Sequence, residues 1–346
     1  MTSFRSGVVS EILSERAGLQ RVLVSFAEDA EPHRAYNLTQ LTGTVGCGDP
    51  VVCNTTAVEL GLGTGGWHVV HWNLANHDLA VAGDGHIMKI RYTSLQTNTG
   101  AAEEHLGEVA TDLGGVPVVG CTLHSQLGVV AAAFAERRPD ARLVYVMTDG
   151  AALPLALSDL VHQLSEQGLL CGTVTVGHAF GGTKEAVTLA SGLAIARSVL
   201  RADAIVVGMG PGVVGTGTTL GTTALELSEI VHVSATLGGR AIACLRVSDA
   251  DPRERHRGVS HHCITALAHV RPGTPYLVAV ADEHQGIDLS VLPPAAARVD
   301  IGVGDVGALL ASHSLRITTM GRNVDQDTAF FRFAAAAGFA AASMVR

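Results

Sequence analysis

Lysine is nearly absent from this 346-residue chain: of its 23 basic residues only Lys89 and Lys184 are lysines. No basic tract exists, and the formal charge is -9. Nucleic acid, whose phosphates demand a positive stripe, is therefore not an expected partner. Aromatic residues make up 4%, too few for a base-stacking platform. Long apolar runs are missing as well. Hydrophobic residues reach 47%, yet Gly, Thr or a charge interrupts each run before the ~20 residues that a membrane helix requires. No membrane partner is expected. The opening MTSFRSGVVSEILSERAG has neither an apolar h-region nor a small-residue cleavage site, which points to the cytoplasm. Six cysteines, Cys47, Cys53, Cys121, Cys171, Cys244 and Cys263, lack CxxC spacing. Disulfides and a cysteine-built zinc site are not expected.

What these absences leave is a small-molecule ligand, or a second copy of the chain in a homo-oligomer. The length is too great for one compact core and predicts two domains. Residues 1–96 carry short strand-like runs (GVVSEIL, RVLVSFA, AYNLTQLTGTV, DPVVCNTTAV, WHVVHW, HIMKIRYT) separated by turn signals such as GCGDP and AGDG. That spacing predicts a small β-barrel or sandwich. Residues 97–346 begin with a polar connector and then alternate. VPVVGCTL, ARLVYVMT, LLCGTVTV, DAIVVGM, RAIACLRV and PYLVAVAD read as buried strands between amphipathic helical segments. This rhythm predicts a doubly wound, mostly parallel, Rossmann-like α/β sheet. LRITTM is a further strand candidate, and the Ala-rich TAFFRFAAAAGFAAASMV a final helix that packs on the domain or on a partner subunit.

In open parallel sheets ligands bind beyond the carboxyl ends of the strands. The segments that follow the predicted strands are unusual: His124-Ser125-Gln126, Thr148-Asp149-Gly150, Gly177-His178, the glycine loop GMGPGVVGTGT, SDADPRERHRGVSHH, and Asp282-Glu283-His284. The opposite ends carry plain connectors such as ERRPDA and LRAD. This asymmetry predicts one shared site at the carboxyl edge.

Within the glycine loop, Gly210, Gly212 and Gly215 match GxGxxG, a pattern that lets backbone N–H groups approach an anion. The lysine of a P-loop is missing, Pro211 removes a donor, and Asp249 comes too late for the acidic residue of a dinucleotide site, so NAD is disfavoured. The next loop offers Arg253 and Arg257 as a bidentate anion clamp. Asp249, Asp251 and His256 are candidate ligands for a divalent metal, although the interleaved arginines oppose a bare cation. His178, His261, His262 and Asp149 are candidates for acid–base chemistry. His124 and Lys184 are candidate ligand contacts, the latter as a compact ammonium in GHAFGGTK.

The motifs NLTQLTG, GDPVVCNTTAVELGLGTGGWHVV, GHIMKIRYTSLQ, VYVMTDGAALPLALS, GTVTVGHAFGGTKEAV, MGPGVVGTGTTLG and RHRGVSHH together resemble an uncharacterised bacterial family known as domain of unknown function 3866. The resemblance spans about residues 7 to 270 and implies no catalytic residue. The expected function is that of an enzyme, a hydrolase or transferase using His/Asp acid–base chemistry, acting on a small anionic metabolite, a phosphorylated one included. The alternative is a non-catalytic metabolite-binding or assembly protein.

Overall fold

The computed structural model describes residues 1–150, 154–282, 287–294 and 296–345. His284, one of the residues named at the carboxyl edge, lies outside them. The chain forms two compact units, Met1–Gly100 and Ala101–Arg346.

The first unit is built on β1 (Phe4–Arg16), β2 (Leu19–Phe26), β3 (His33–Asn37), β4 (Pro50–Asn54) and β5 (His68–Asn73), with short helices α1 (Thr39–Thr42) and α2 (Thr56–Glu59) between them. Val22, Val24 and Phe26 alternate inward along β2, and Val9, Ala35, Val51, Cys53 and Val70 meet them. The ladder of β1 slips between Val9 and Glu11 and again between Ile12 and Ser14. Bulges bend a strand, and β1 pairs with both β2 and β4. The result is a closed barrel of order β1-β2-β3-β5-β4 in which β3 and β5 run parallel, an OB-type Greek-key topology. HIMKIRYT contributes only β6 (Met88–Lys89), paired with β7 (Thr97–Asn98).

The second unit opens with α3 (Glu103–Leu106), β8 (Pro117–Cys121), α4 (His124–Arg137), β9 (Leu143–Thr148), α5 (Asp159–Glu166), β10 (Gly172–Thr175), β11 (Lys184–Glu185), α6 (Leu189–Ser198), β12 (Ala204–Met209), α7 (Glu226–Thr236) and β13 (Arg240–Cys244). There follow β14 (Val247–Ser248), β15 (Gly258–Val259), α8 (His261–Ala268), β16 (Tyr276–Ala281), β17 (Ala296–Ile301), α9 (Val306–Ser312) and α10 (Thr328–Met344). Eight strands form one sheet of order β11-β10-β9-β12-β8-β13-β16-β17, and every pairing is parallel. Alternate residues of each strand enter separate cores, as the two-residue period requires. Val118, Val144, Val146, Ile205 and Val207 pack with α6 and with Ile230 of α7. Val119, Tyr145, Met147 and Val206 pack with α4 and α10. Both faces of the sheet are therefore covered, which explains why its strands read as continuous apolar runs.

The Ala-rich segment forms α10, buried from Ala329 to Ala342. It lies so close to α4 that a Cβ at Gly338 would sit 2.5 Å from the Val130 carbonyl oxygen. LRITTM contains no strand. Instead Ile317 packs over Gly128 of α4, and the outermost strand is β17.

Candidate functional site

Parallel pairing brings the carboxyl ends of the strands to one edge. β12 inserts between β8 and β9, so successive connections leave the sheet in opposite directions there, the arrangement that opens a crevice. At this point His124 starts α4. Its Nε2 pairs with Ser158 Oγ at 2.7 Å, and its Nδ1 lies 3.3 Å from the Met209 carbonyl oxygen. Ser158 is also the N-cap of α5, accepting from Val161 N–H, and the Tyr145 hydroxyl donates to the Gly208 and Met209 carbonyls. Burial lowers the His124 pKa to about 4. This histidine is a neutral strut that ties α4, α5 and β12 together.

Beside it, Glu226 accepts from the Thr148 hydroxyl at 2.7 Å and from Met209 N–H at 3.1 Å. Burial outweighs both hydrogen bonds and pushes the Glu226 carboxyl up to about 7. Asp149 accepts from the backbone N–H of His178 at 2.8 Å. Gly177 makes that turn possible: its φ is +64°, and a Cβ there would strike the Asp149 carboxylate at 2.5 Å. Thr148, Asp149, Gly177, Thr188, Glu226 and Glu229 help to line a cavity of about 230 Å³.

The glycine loop joins this cavity to the histidines. Gly212 has φ +106°, and Val214 N–H donates to Thr223 Oγ1 at 3.2 Å. Gly215 bridges to Thr222. A Cβ on Gly150 would meet Glu226 Oε2 at 3.2 Å and Thr223 Cβ at 3.7 Å, whereas one on Gly215 would meet His262 Nε2 at 3.4 Å. The loop thus spans from Glu226 to His262. It does not run straight into a helix, because α7 begins only at Glu226. A dinucleotide fingerprint needs the helix end at the loop, so this geometry gives NAD no support.

His256, His261 and His262 form the far side. One nitrogen from each lies within 4.8 Å of the other two, and ring centroids are 4.9, 4.9 and 4.2 Å apart. The local sequence builds the cluster directly. A 3-10 turn, Glu254–His256, ends on the first histidine, and Ser260 caps α8 so that the other two occupy its first turn. Ser260 Oγ also pairs with His256 Nδ1 at 2.8 Å. His261 Nε2 is buried without a hydrogen-bond partner among the described residues. Desolvation, helped by nearby arginines, lowers the pKa of all three, to about 3 at His256 and about 4 at His262.

The charged neighbours sort differently from the sequence reading. Asp251, expected among metal ligands, is fully buried and pairs with Arg246, Arg253 and Arg322 at 3.0, 2.9 and 3.4 Å. Three guanidiniums around one carboxylate make an ion-pair hub and repel a cation. Arg253, expected as an anion clamp, donates through both Nε and Nη2 to Asp251, and Arg257 Nε donates to the Asp251 carbonyl. Asp249, also expected among metal ligands, is exposed and is not part of the trio's donor group. Lys184 lies on the edge strand β11, opposite Val174. Arg255 is the exposed guanidinium left over: among the described residues it makes no ion pair, and it lies 3.7 Å from the Cβ position of Gly217.

The family model described as "Protein of unknown function (DUF3866)" matches residues 34–338. The chain belongs to that family. No curated protein and no solved structure matches it. The DUF3866 match takes in the whole carboxyl edge, from His124 to the arginine hub. Two residues at this edge do not stand out in the sequence. Glu226 reads as an ordinary first-turn helix acid, and Arg255 as one of several arginines in a charged run.

Proposed function

We propose that this protein is an enzyme acting on a small anionic metabolite at the carboxyl edge of the α/β sheet. One arrangement carries the reading: a single loop, from Met209 to Glu226, has at one foot a carboxyl group that burial pushes up to about 7 and at the other the histidine trio with Arg255, which makes no ion pair among the described residues. A carboxyl with a pKa of about 7 both gives and takes protons at neutral pH. Glu226 is therefore the acid–base group, and Arg255 with the loop meets the anion. The polar part of the cavity beside Glu226 is carboxylates and threonines, set against Val176, Val187, Leu189 and Ile230, and these polar groups accept hydrogen bonds from hydroxyl or amino groups. The substrate has an anionic group at the Arg255 end and a hydroxyl or amine at the Glu226 end, and the reaction is a hydrolysis or group transfer.

A binding module without turnover is favoured by a different observation. His124 and Asp149 spend their hydrogen bonds on holding the fold. Thermal unfolding with a panel of sugar phosphates, nucleotides and carboxylic acids tests both readings, since a ligand that prefers the folded state raises Tm. At least one anion raises Tm in the wild type and fails to in Arg255→Ala. An enzyme converts that ligand, and Glu226→Gln stops conversion while the Tm gain persists. A ligand bound but never converted supports the binding module, and no Tm gain from any anion overturns the anion site.

A further inference from the structure

We propose that His256, His261 and His262 bind one divalent transition metal of the zinc class, with an open coordination position toward the glycine loop. The donor set is the first support. A zinc ion ~2.1 Å from each imidazole nitrogen holds them about 3.4 Å apart in a tetrahedral site, and one nitrogen per ring already lies within 4.8 Å of the others. Small ring rotations close that gap. The second support is unsatisfied polarity, which a buried imidazole rarely tolerates. His261 Nε2 is buried and has no partner among the described residues, and His256 and His262 are 1% and 7% exposed. Third, Ser260 holds His256 through Nδ1, which leaves Nε2 as the nitrogen available to a metal; metal-bound histidines are typically fixed through their other nitrogen in this way.

The surroundings shape what binds. The N-terminus of α8 and the guanidiniums of Arg246 and Arg255 oppose a bare cation. Three nitrogens bind by coordination despite this, and an anion in the open position offsets the remaining charge. Metal and anion therefore reinforce each other, and linkage makes the effect reciprocal. Only this coupling rests on the anion reading above; metal capture is read out without it.

The test uses the full chain after chelator treatment, titrated with Zn²⁺ by calorimetry and with Co²⁺ by visible absorption. The expected result is one saturable equivalent, with the intense Co²⁺ bands of a tetrahedral site, bound more tightly when acetate is present. His261→Ala weakens binding at least tenfold, as does His262→Asn, which covers a folding failure of either variant. His162→Asn, at an exposed position on α5, leaves it unchanged. No saturable equivalent, or an equivalent that both trio variants retain, overturns the metal site. Metal binding without any acetate effect overturns only the coupling, and an anion-dependent Tm gain in the chelated protein leaves the functional reading standing while the metal fails.

Discussion

Asp251 and the histidine trio come from one stretch of chain, yet they are opposites in how far their polar groups are satisfied. The Asp251 carboxylate accepts from three guanidiniums, and Arg322 is itself shared with buried Asp327. Ser248 joins the same knot by donating to Asp327. In the trio, one ring nitrogen has a hydroxyl partner and another is buried with none. A saturated polar cluster holds a fold, and an unsaturated one in a crevice awaits a ligand. Residue type alone does not separate them, because aspartate is as good a metal ligand as histidine. The partners separate them.

The largest way to break this contrast is Asp251→Asn. It leaves Arg246, whose side chain is 5% exposed, among like charges, and removing one partner from a buried pair costs about 3–5 kcal/mol. For a unit of this size Tm falls by on the order of 10 °C, measured by calorimetry at pH 7. A smaller effect separates the Asp251 and Glu226 carboxyls by pH. Arginines hold the Asp251 carboxyl well below its usual range, so its contribution is present above that range and is lost on acidification. Glu226 has the opposite sign. Its folded pKa is raised from 4.5 to about 7, so the native state binds the extra proton and stability falls as pH rises through that window. Glu226→Gln flattens this slope, by a few kcal/mol at most at about 1.4 kcal/mol per pKa unit, and Tm against pH in both proteins shows it. A slope unchanged by the substitution would remove Glu226 as its source. The smallest stability effect sharpens the comparison. His261→Ala in metal-free protein deletes an unpartnered nitrogen and shifts stability by less than about 1 kcal/mol, whereas a trio that held the fold would respond as Asp251 does.

Fold class was legible where local pattern and tertiary role agree. VYVM and AIVV are continuous β-branched and apolar runs because both faces of the central strands are covered. β17 was not legible: AARVDI is half exposed at the sheet edge and follows Pro293-Pro294, so it carries neither the burial nor the turn pattern of an inner strand. LRITTM misled for the converse reason. Leu315 and Ile317 are apolar because they cover α4, not because they pair with a strand. At the site, RHRGVSHH announced its histidines, since three imidazoles and a capping serine act within a few residues. The role of Asp251 was hidden because Arg322 arrives from 71 residues away, and the Glu226 shift was hidden because burial is a property of the packed sheet.

The contact between α10 and α4 places a constraint on how this unit is made. Helix α4 ends at Arg137, whereas its partner begins at Thr328, so the face of α4 that meets α10 has no cover while the chain between them is synthesised. Contacts so distant in sequence form late and leave apolar surface open meanwhile. The larger core of this unit is thus closed only by the last helix to be made.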